Sequence, residues 1–152
     1  MAKSIIQYGL LVGLATITVQ ALIGGTGFLG IVFLSFGIYY AQKRKSATID
    51  SPLKFGDFVS IGFKMSSLSG LVIGLYTYVD LSFNPDFIKE VLNQAAYFLE
   101  DAGIEGALFD QTMSIYEVIL TPFWLGVSVF FGQLILGFFI SVFVFLVARK
   151  RS

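Results

Sequence analysis

The chain has 152 residues, of which 56% are hydrophobic and only 13% are charged, and its mean hydropathy is +0.82. This composition excludes an ordinary soluble domain and indicates a single integral membrane domain over residues 1–152. Ten basic residues balance ten acidic residues, which gives no basis for nucleic-acid binding. The absence of Cys and His removes disulfides, thiolate or imidazole metal sites and His-based catalysis, and we expect no cofactor.

The first apolar segment covers residues 5–40 and would be about 54 Å long as one helix, far more than a membrane core of about 30 Å. We therefore predict a reversal at Gly24-Gly25-Thr26-Gly27, where glycines permit a tight turn. This gives a first transmembrane helix near residues 5–23 and a second near 26–42. No small-residue cleavage site follows the first helix, so we interpret it as retained rather than as a signal peptide.

Two further apolar segments complete an all-α membrane protein built as a four-transmembrane-helix bundle. The third helix is predicted near residues 55–79 and the fourth near 122–148, with Thr121 as its N-cap and Pro122 in its first turn. Basic residues gather on one side of the bundle: Lys3, Lys43, Arg44, Lys45, Lys54, Arg149, Lys150 and Arg151. Because such residues favour the cytoplasm, we predict a multi-pass protein of a bacterial inner membrane with both termini cytoplasmic and the lipid bilayer as a partner.

The segment between the third and fourth helices is acidic and is predicted to lie outside the cytoplasm. It contains eight carboxylates and one lysine: Asp80, Asp86, Glu90, Glu100, Asp101, Glu105, Asp110, Glu117 and Lys89. Asn84-Pro85-Asp86 predicts a helix start with Asn84 as the cap, and Gly103 is placed to end that helix. A weaker helical stretch follows to Leu120. We interpret residues 85–120 as an amphipathic extracytoplasmic segment that covers the bundle or rests on the membrane surface, with a partner-binding face as the alternative.

Residues 25–30 match the dinucleotide-binding pattern G-x-G-x-x-G, and Asp50 lies 20 residues beyond Gly30. The surrounding sequence argues against nucleotide binding, because the pattern requires a preceding buried strand in an α/β sheet. Here a uniformly apolar helix follows instead, so we expect NAD and NADP to leave the thermal stability unchanged.

Small residues recur every four positions in the third helix, at Gly62, Ser66, Gly70 and Gly74, and the first helix repeats the spacing at Gly9 and Gly13. Such ridges let helices approach closely, either within one chain or between two copies of it. Residues 9–16 also resemble residues 70–77. This likeness would fit duplicated hairpins of the kind found in transporters, or chance similarity between two Gly- and Leu-rich helices.

Four polar side chains near or within the predicted spans are candidates for function: Lys64, Asp57, Gln20 and Gln133. Lys64 either extends its ammonium group to the cytoplasmic interface, beside Asp57, or contacts an anionic substrate. Gln20 and Gln133 are expected to hydrogen-bond across helices and hold the bundle in register. No residue pattern predicts a catalytic or metal site.

Three short segments carry a family resemblance: Tyr8-Gly9-Leu10, Phe55-Gly56-Asp57 through Gly62, and Asn84-Pro85-Asp86-Phe87-Ile88. Through them the chain resembles, over nearly its whole length, the small membrane proteins of Bacteroidota grouped as domain of unknown function 4199. The resemblance implies four helices with an acidic helical segment before the fourth, and it implies no activity. The short loop after the first helix and the less densely charged outer segment depart from the family pattern.

These features favour a non-enzymatic accessory or scaffold bundle for another component of the cell envelope. Its partner would be another membrane protein or a second copy of the chain. The alternative is a small transporter or flippase, as a monomer or a dimer, with the glycine ridges as moving surfaces and Lys64 as the substrate contact. An enzyme is a third interpretation, in which Asp57 or the outer carboxylates would have to act as acid and base.

Overall fold

The computed structural model of the protein describes residues 2–23, 27–48 and 53–149. These residues form six helices: α1 (Ala2–Ile23), α2 (Gly27–Ser46), α3 (Phe55–Phe83), α4 (Pro85–Asp101), α5 (Ala107–Ile119) and α6 (Pro122–Arg149). Among the described residues, three helices are long and apolar enough to cross a membrane: α1 over Ser4–Leu22, α3 over Phe55–Phe83 and α6 over Pro122–Ala148. The described residues confirm the predicted all-α class, and the length and composition of these three helices support the predicted membrane character.

The helix α2 lies where the sequence predicts the second span, but it is not one of the three helices with membrane-spanning length and composition in the described part of the chain. Its last turn contains Lys43, Arg44 and Lys45, so the apolar part ahead of Gln42 is only about 22 Å long. The fourth crossing therefore stays a prediction. Residues 24–26 of the predicted reversal, Asp50 and the basic residues 150 and 151 lie outside the described residues, whereas Gly27, the last residue of that reversal, begins α2.

The chain divides into two compact units, Met1–Ile73 with Val129–Ser152 (unit 1) and Gly74–Ser128 (unit 2). Unit 1 contains α1, α2, the first part of α3 and most of α6, whereas unit 2 contains α4 and α5 with the adjoining ends of α3 and α6. The single membrane domain stays a prediction.

In unit 1, α1 and α2 run antiparallel. Gly30 of α2 faces Thr16 of α1, and Gly37, two turns further along α2, faces Val12, which lies one turn earlier in α1. The two helices share a buried apolar core with α3, made of Val12, Leu34, Ile38, Ala41, Ile61 and Met65. This packing agrees with the predicted fold-back of the first apolar segment.

The helix α3 runs parallel to α1 and antiparallel to α6 in unit 1. The residues that face each other are Gly9 with Leu68 and Gly13 with Val72 for α1 and α3, and Gly62 with Ser141 and Gly70 with Gln133 for α3 and α6. Because α2 is antiparallel to α1, the starts of α1 and α3 and the ends of α2 and α6 are at the same end of the unit.

In unit 2, α4 ends at the predicted glycine. Gly103 has a φ of +73°, its N–H donates to the carbonyl oxygen of Glu100 at 2.9 Å, and the N–H of Ile104 donates to that of Leu99 at 2.9 Å. This pair of bonds is the Schellman arrangement, in which the residue after the helix takes a left-handed conformation that glycine adopts without strain.

The start of α4 differs in one respect from the prediction. The helix begins at Pro85, as expected, but the Asn84 side chain makes no capping bond and instead donates from Nδ2 to Asp80 Oδ1 at 3.4 Å. The predicted cap is therefore wrong, because a carboxylate one turn earlier attracts the amide away from the start of α4. The helices α4 and α5 match the two predicted helical stretches, and their extracytoplasmic location stays a prediction.

Candidate functional site

The small residues of α3 in unit 1 pack against α6 of the same chain. A Cβ atom added at Gly62 would overlap Ser141 Oγ, and one added at Gly137 would overlap Ser66 Oγ. A Cβ atom at Gly70 would lie 2.9 Å from Gln133 Cβ. This part of the ridge therefore serves helix packing within one chain, and α6 already covers it.

The remaining small residues are also in helix contacts. In α1, a Cβ atom added at Gly9 would lie 2.8 Å from Leu68 Cβ, and one at Gly13 would lie 3.0 Å from Val72 Cβ. In unit 2, a Cβ atom added at Gly126 would lie 2.7 Å from the carbonyl oxygen of Gly74. Each of these approaches brings a glycine backbone against a neighbouring helix, which a larger residue would prevent.

Lys64 points away from the core of unit 1. Its side chain is exposed, whereas its neighbours Met65 and Ser66 are fully buried. It forms no salt bridge with any residue in the described ranges, and Asp57 pairs instead with Lys45. In a membrane, the outward direction would put Lys64 against lipid or against a partner.

Asp57 lies in the first turn of α3 and has two partners. Its Oδ1 accepts a hydrogen bond from Lys45 Nζ at 2.8 Å, and its Oδ2 accepts one from the backbone N–H of Lys54 at 3.1 Å. The first bond joins α3 to α2, and the second satisfies a backbone donor at the start of α3. Asp57 therefore has a structural role at this end of unit 1.

Among the described residues, neither of the two glutamines expected to join helices forms a hydrogen bond between helices. Gln20 is exposed, and Gln133, which faces Gly70, has a buried Oε1 without a hydrogen-bond partner among the described residues. A third amide takes the role. Gln42 is 2% exposed, and its Nε2 donates to the carbonyl oxygen of Phe58 at 3.3 Å, which joins α2 to α3.

Sequence reasoning missed Gln42 because it directly precedes three basic residues and resembles the polar end of a span. The sequence also offered no polar side chain as a partner for Gln42, because Gln42 bonds to a backbone carbonyl. Its Oε1 is buried and, within the described part of the chain, unpaired.

Basic side chains gather at one end of unit 1, which we call the basic end and define by Lys43, Arg44, Lys45 and Lys54. An open groove of about 460 Å³ lies there between α1 and α2, lined in part by Tyr8 and Arg44. Arg44 donates to the Tyr8 hydroxyl, and its guanidinium carbon lies 5.9 Å from the Tyr8 ring centroid. Within the described part of the chain, the guanidinium makes one hydrogen bond, which leaves donors of the kind that bind phosphate groups.

The described residues offer no arrangement for metal binding, since no group of three or more His, Cys, Asp or Glu side chains could hold an ion there. Comparison of the chain with family models, curated proteins and solved structures finds no match. The resemblance to domain of unknown function 4199 therefore stays a prediction.

Proposed function

We propose that this protein is a four-span component of a bacterial inner membrane that acts as a non-enzymatic accessory or scaffold for another envelope protein. In this proposal the basic end faces the cytoplasm, α2 is the fourth crossing, and α4 and α5 form the extracytoplasmic segment. The distribution of charge supports this orientation, because the basic end lies where α1 and α3 start and α2 and α6 end.

The single observation that carries the scaffold role is the closed packing around α3. Its small residues meet α6, its Leu68 and Val72 meet the glycines of α1, and its one lysine within the span is exposed on the outside of unit 1. A transporter would be expected to aim such a charge at a water-filled path between its helices. A bundle held by close backbone contacts suits a static support better.

The extracytoplasmic segment supplies a surface for a partner. Four aliphatic side chains of α5 are half exposed or more: Leu108 at 59%, Ile115 at 52%, Val118 at 59% and Ile119 at 50%. Exposed apolar surface of this kind marks protein or membrane contacts. We propose that it contacts the envelope partner close to the membrane surface.

Cross-linking and purification of a tagged chain from its native membranes test the scaffold role. We expect one other envelope protein in near-equal amount, reduced at least about fivefold by a Leu108→Ser and Val118→Ser double variant. The matched control is Ser114→Ala, which changes an exposed polar residue of the same helix. Recovery of the chain without any stoichiometric partner, in wild-type and variants alike, would contradict the proposal.

A small transporter or flippase remains the second candidate, and one observation favours it. The Oε1 atom of Gln133 is buried within unit 1 and has no partner among the described residues, in a helix that crosses the membrane in the proposed arrangement. A buried amide oxygen without a donor costs about 1–3 kcal/mol, and a polar substrate could offset that cost. If the chain transports, proteoliposomes should show solute flux or lipid flipping that Gln133→Leu removes. The scaffold proposal predicts no such flux.

A further inference from the structure

Two adjoining grooves run between α2 and α6 in unit 1, with volumes of about 460 Å³ and about 360 Å³. They share the lining residues Tyr39, Phe143 and Val144. Together we call them the α2–α6 groove. Along α2 it extends from Ser35 to Ser46, a distance of about 16 Å. One leaflet of a bilayer has a hydrocarbon thickness of about 15 Å, so the groove is as long as one leaflet is deep.

The two ends of the groove differ in chemistry. Toward Ser35 the walls are aromatic and open outward, with Phe36 at 70% and Phe139 at 62% exposure. At the other end Lys43 and Ser46 join the lining. The change from a largely apolar lining to one that includes a cation follows α2 in the same order as a phospholipid, from acyl chain to headgroup.

The polar end also contains a cation without a salt bridge and a hydrogen-bond acceptor without a donor, counted among the described residues. Among the basic residues of the last turn of α2, Lys45 pairs with Asp57 and Arg44 bonds to Tyr8, whereas Lys43 has no salt bridge with any described residue. Gln42 lines the same end, and its buried Oε1 lacks a donor from the described residues. A ligand with a negative phosphate and a hydroxyl donor would match both groups.

We propose that the α2–α6 groove is a binding site for an anionic phospholipid of the cytoplasmic leaflet. One acyl chain lies along Phe36, Phe139 and Phe143, the phosphate pairs with Lys43, and a headgroup hydroxyl reaches the polar end beside Gln42 and Ser46. This proposal rests on the proposed membrane placement of α2, and it adds a specific lipid to the bilayer as a partner.

Native mass spectrometry of the full chain in mild detergent tests the headgroup contact. Dioleoyl phosphatidylglycerol should bind with a stoichiometry of one and more tightly than dioleoyl phosphatidylcholine. Lys43→Gln should weaken phosphatidylglycerol binding about fivefold, the effect of one basic residue at an anionic surface, and leave phosphatidylcholine binding unchanged. Lys54→Gln, which removes the same charge at the same end outside the groove, is the control. Equal binding by both variants would overturn the headgroup contact.

Filling the groove tests the acyl-chain contact. Val144→Trp places a large ring where the two grooves join, and it should abolish the preference for one bound phosphatidylglycerol. Leu146→Trp, on an exposed side of α6 at 57% exposure, should preserve that preference. Unchanged binding by the Val144 variant would overturn the proposal. Equally tight binding of soluble glycerol 3-phosphate would also overturn the proposal, because it would indicate an anion site. Loss of a dimer in the Val144 variant would overturn it as well, because it would indicate an interface between copies.

A single-cysteine variant separates failure of the groove from failure of the membrane placement. The chain has no cysteine, so Phe36→Cys can be labelled without background. Resistance to a water-soluble maleimide in native membranes is expected. Labelling from water would overturn the proposed fourth crossing, whereas resistance without phosphatidylglycerol selectivity would overturn the lipid site alone.

Discussion

Where α3 meets α6 in unit 1, two serines and two glycines form the contact without a hydrogen bond between the helices. Ser66 Oγ donates to the carbonyl oxygen of Gly62 at 2.8 Å, and Ser141 Oγ donates to that of Gly137 at 2.7 Å, each within its own helix. With their hydroxyls satisfied locally, the serines present only small surfaces to the neighbour. Van der Waals packing therefore holds this contact, as is common between membrane helices.

The first prediction concerns this contact. Gly62→Ala should destabilise the protein by about 1–3 kcal/mol, because the new methyl group would meet Ser141 and, at 2.8 Å, the carbonyl oxygen of Gly137. Gly132→Ala is the matched control in α6, where a Cβ atom has no neighbour within 4 Å, and it should be neutral or slightly stabilising. Unfolding by SDS in mixed micelles measures both. Equal stability of the two variants would mean that α3 and α6 do not approach this closely.

The second prediction concerns Lys64, which has no acidic partner within the described ranges and is exposed. If the side chain faces lipid, Lys64→Met should raise stability in bilayer-like micelles by about 1 kcal/mol or more, since a lysine at the centre of a span costs about 2.5–3.5 kcal/mol. Lys89→Met, on α4, should change stability little, because it removes only an exposed ion pair with Asp86. A loss of stability on replacing Lys64 would reveal a partner for its ammonium group.

At the scale of helices, turn-forming residues predicted several helix ends correctly, whereas the ends of apolar segments predicted others too early. The starts of α4 at Pro85 and of α6 at Pro122 and the end of α4 before Gly103 lie where the sequence predicts them. In contrast, α2 continues to Ser46 and α3 to Phe83, each four residues past its predicted end. The reason is physical: the end of an apolar run marks where a span leaves the hydrocarbon, but the backbone hydrogen bonds of a helix continue into the interface.

The third prediction concerns the end of α4. Gly103→Ala should cost about 1–2 kcal/mol, because an L-residue with a side chain resists the left-handed conformation that this position requires. Hydrogen exchange should accelerate at the N–H groups of residue 103 and of Ile104, which donate to carbonyl oxygens in the last turn of α4. Gly56→Ala, in the first turn of α3 with no neighbour within 4 Å of the new Cβ, is the control. Unchanged exchange around residue 104 would contradict the turn geometry.

At the scale of the whole molecule, composition alone was enough to predict a helical membrane protein, but not which helix faces meet. The small-residue spacing predicted close approach, and only the structure pairs Gly62 with Ser141 and Gly9 with Leu68. Gly and Ser permit contact with any neighbour, so their positions along a helix do not specify a partner. The sequence also did not distinguish Gln42, which bonds to α3, from Gln133, which makes no such bond among the described residues.

The last prediction tests the crossing number, for which the cysteine-free sequence is well suited. If α1 and α2 both cross, Ala2→Cys and Ser46→Cys should react with a membrane-impermeant maleimide only after the cells are opened. Asn93→Cys, on α4, should react in intact spheroplasts, because α3 alone separates it from Ser46. Leu71→Cys, exposed at 59% within α3, should resist the reagent in both preparations. If Ala2→Cys and Ser46→Cys were labelled from opposite sides of the membrane, the chain would have three crossings. The polar end of the proposed lipid site would then no longer face the cytoplasm.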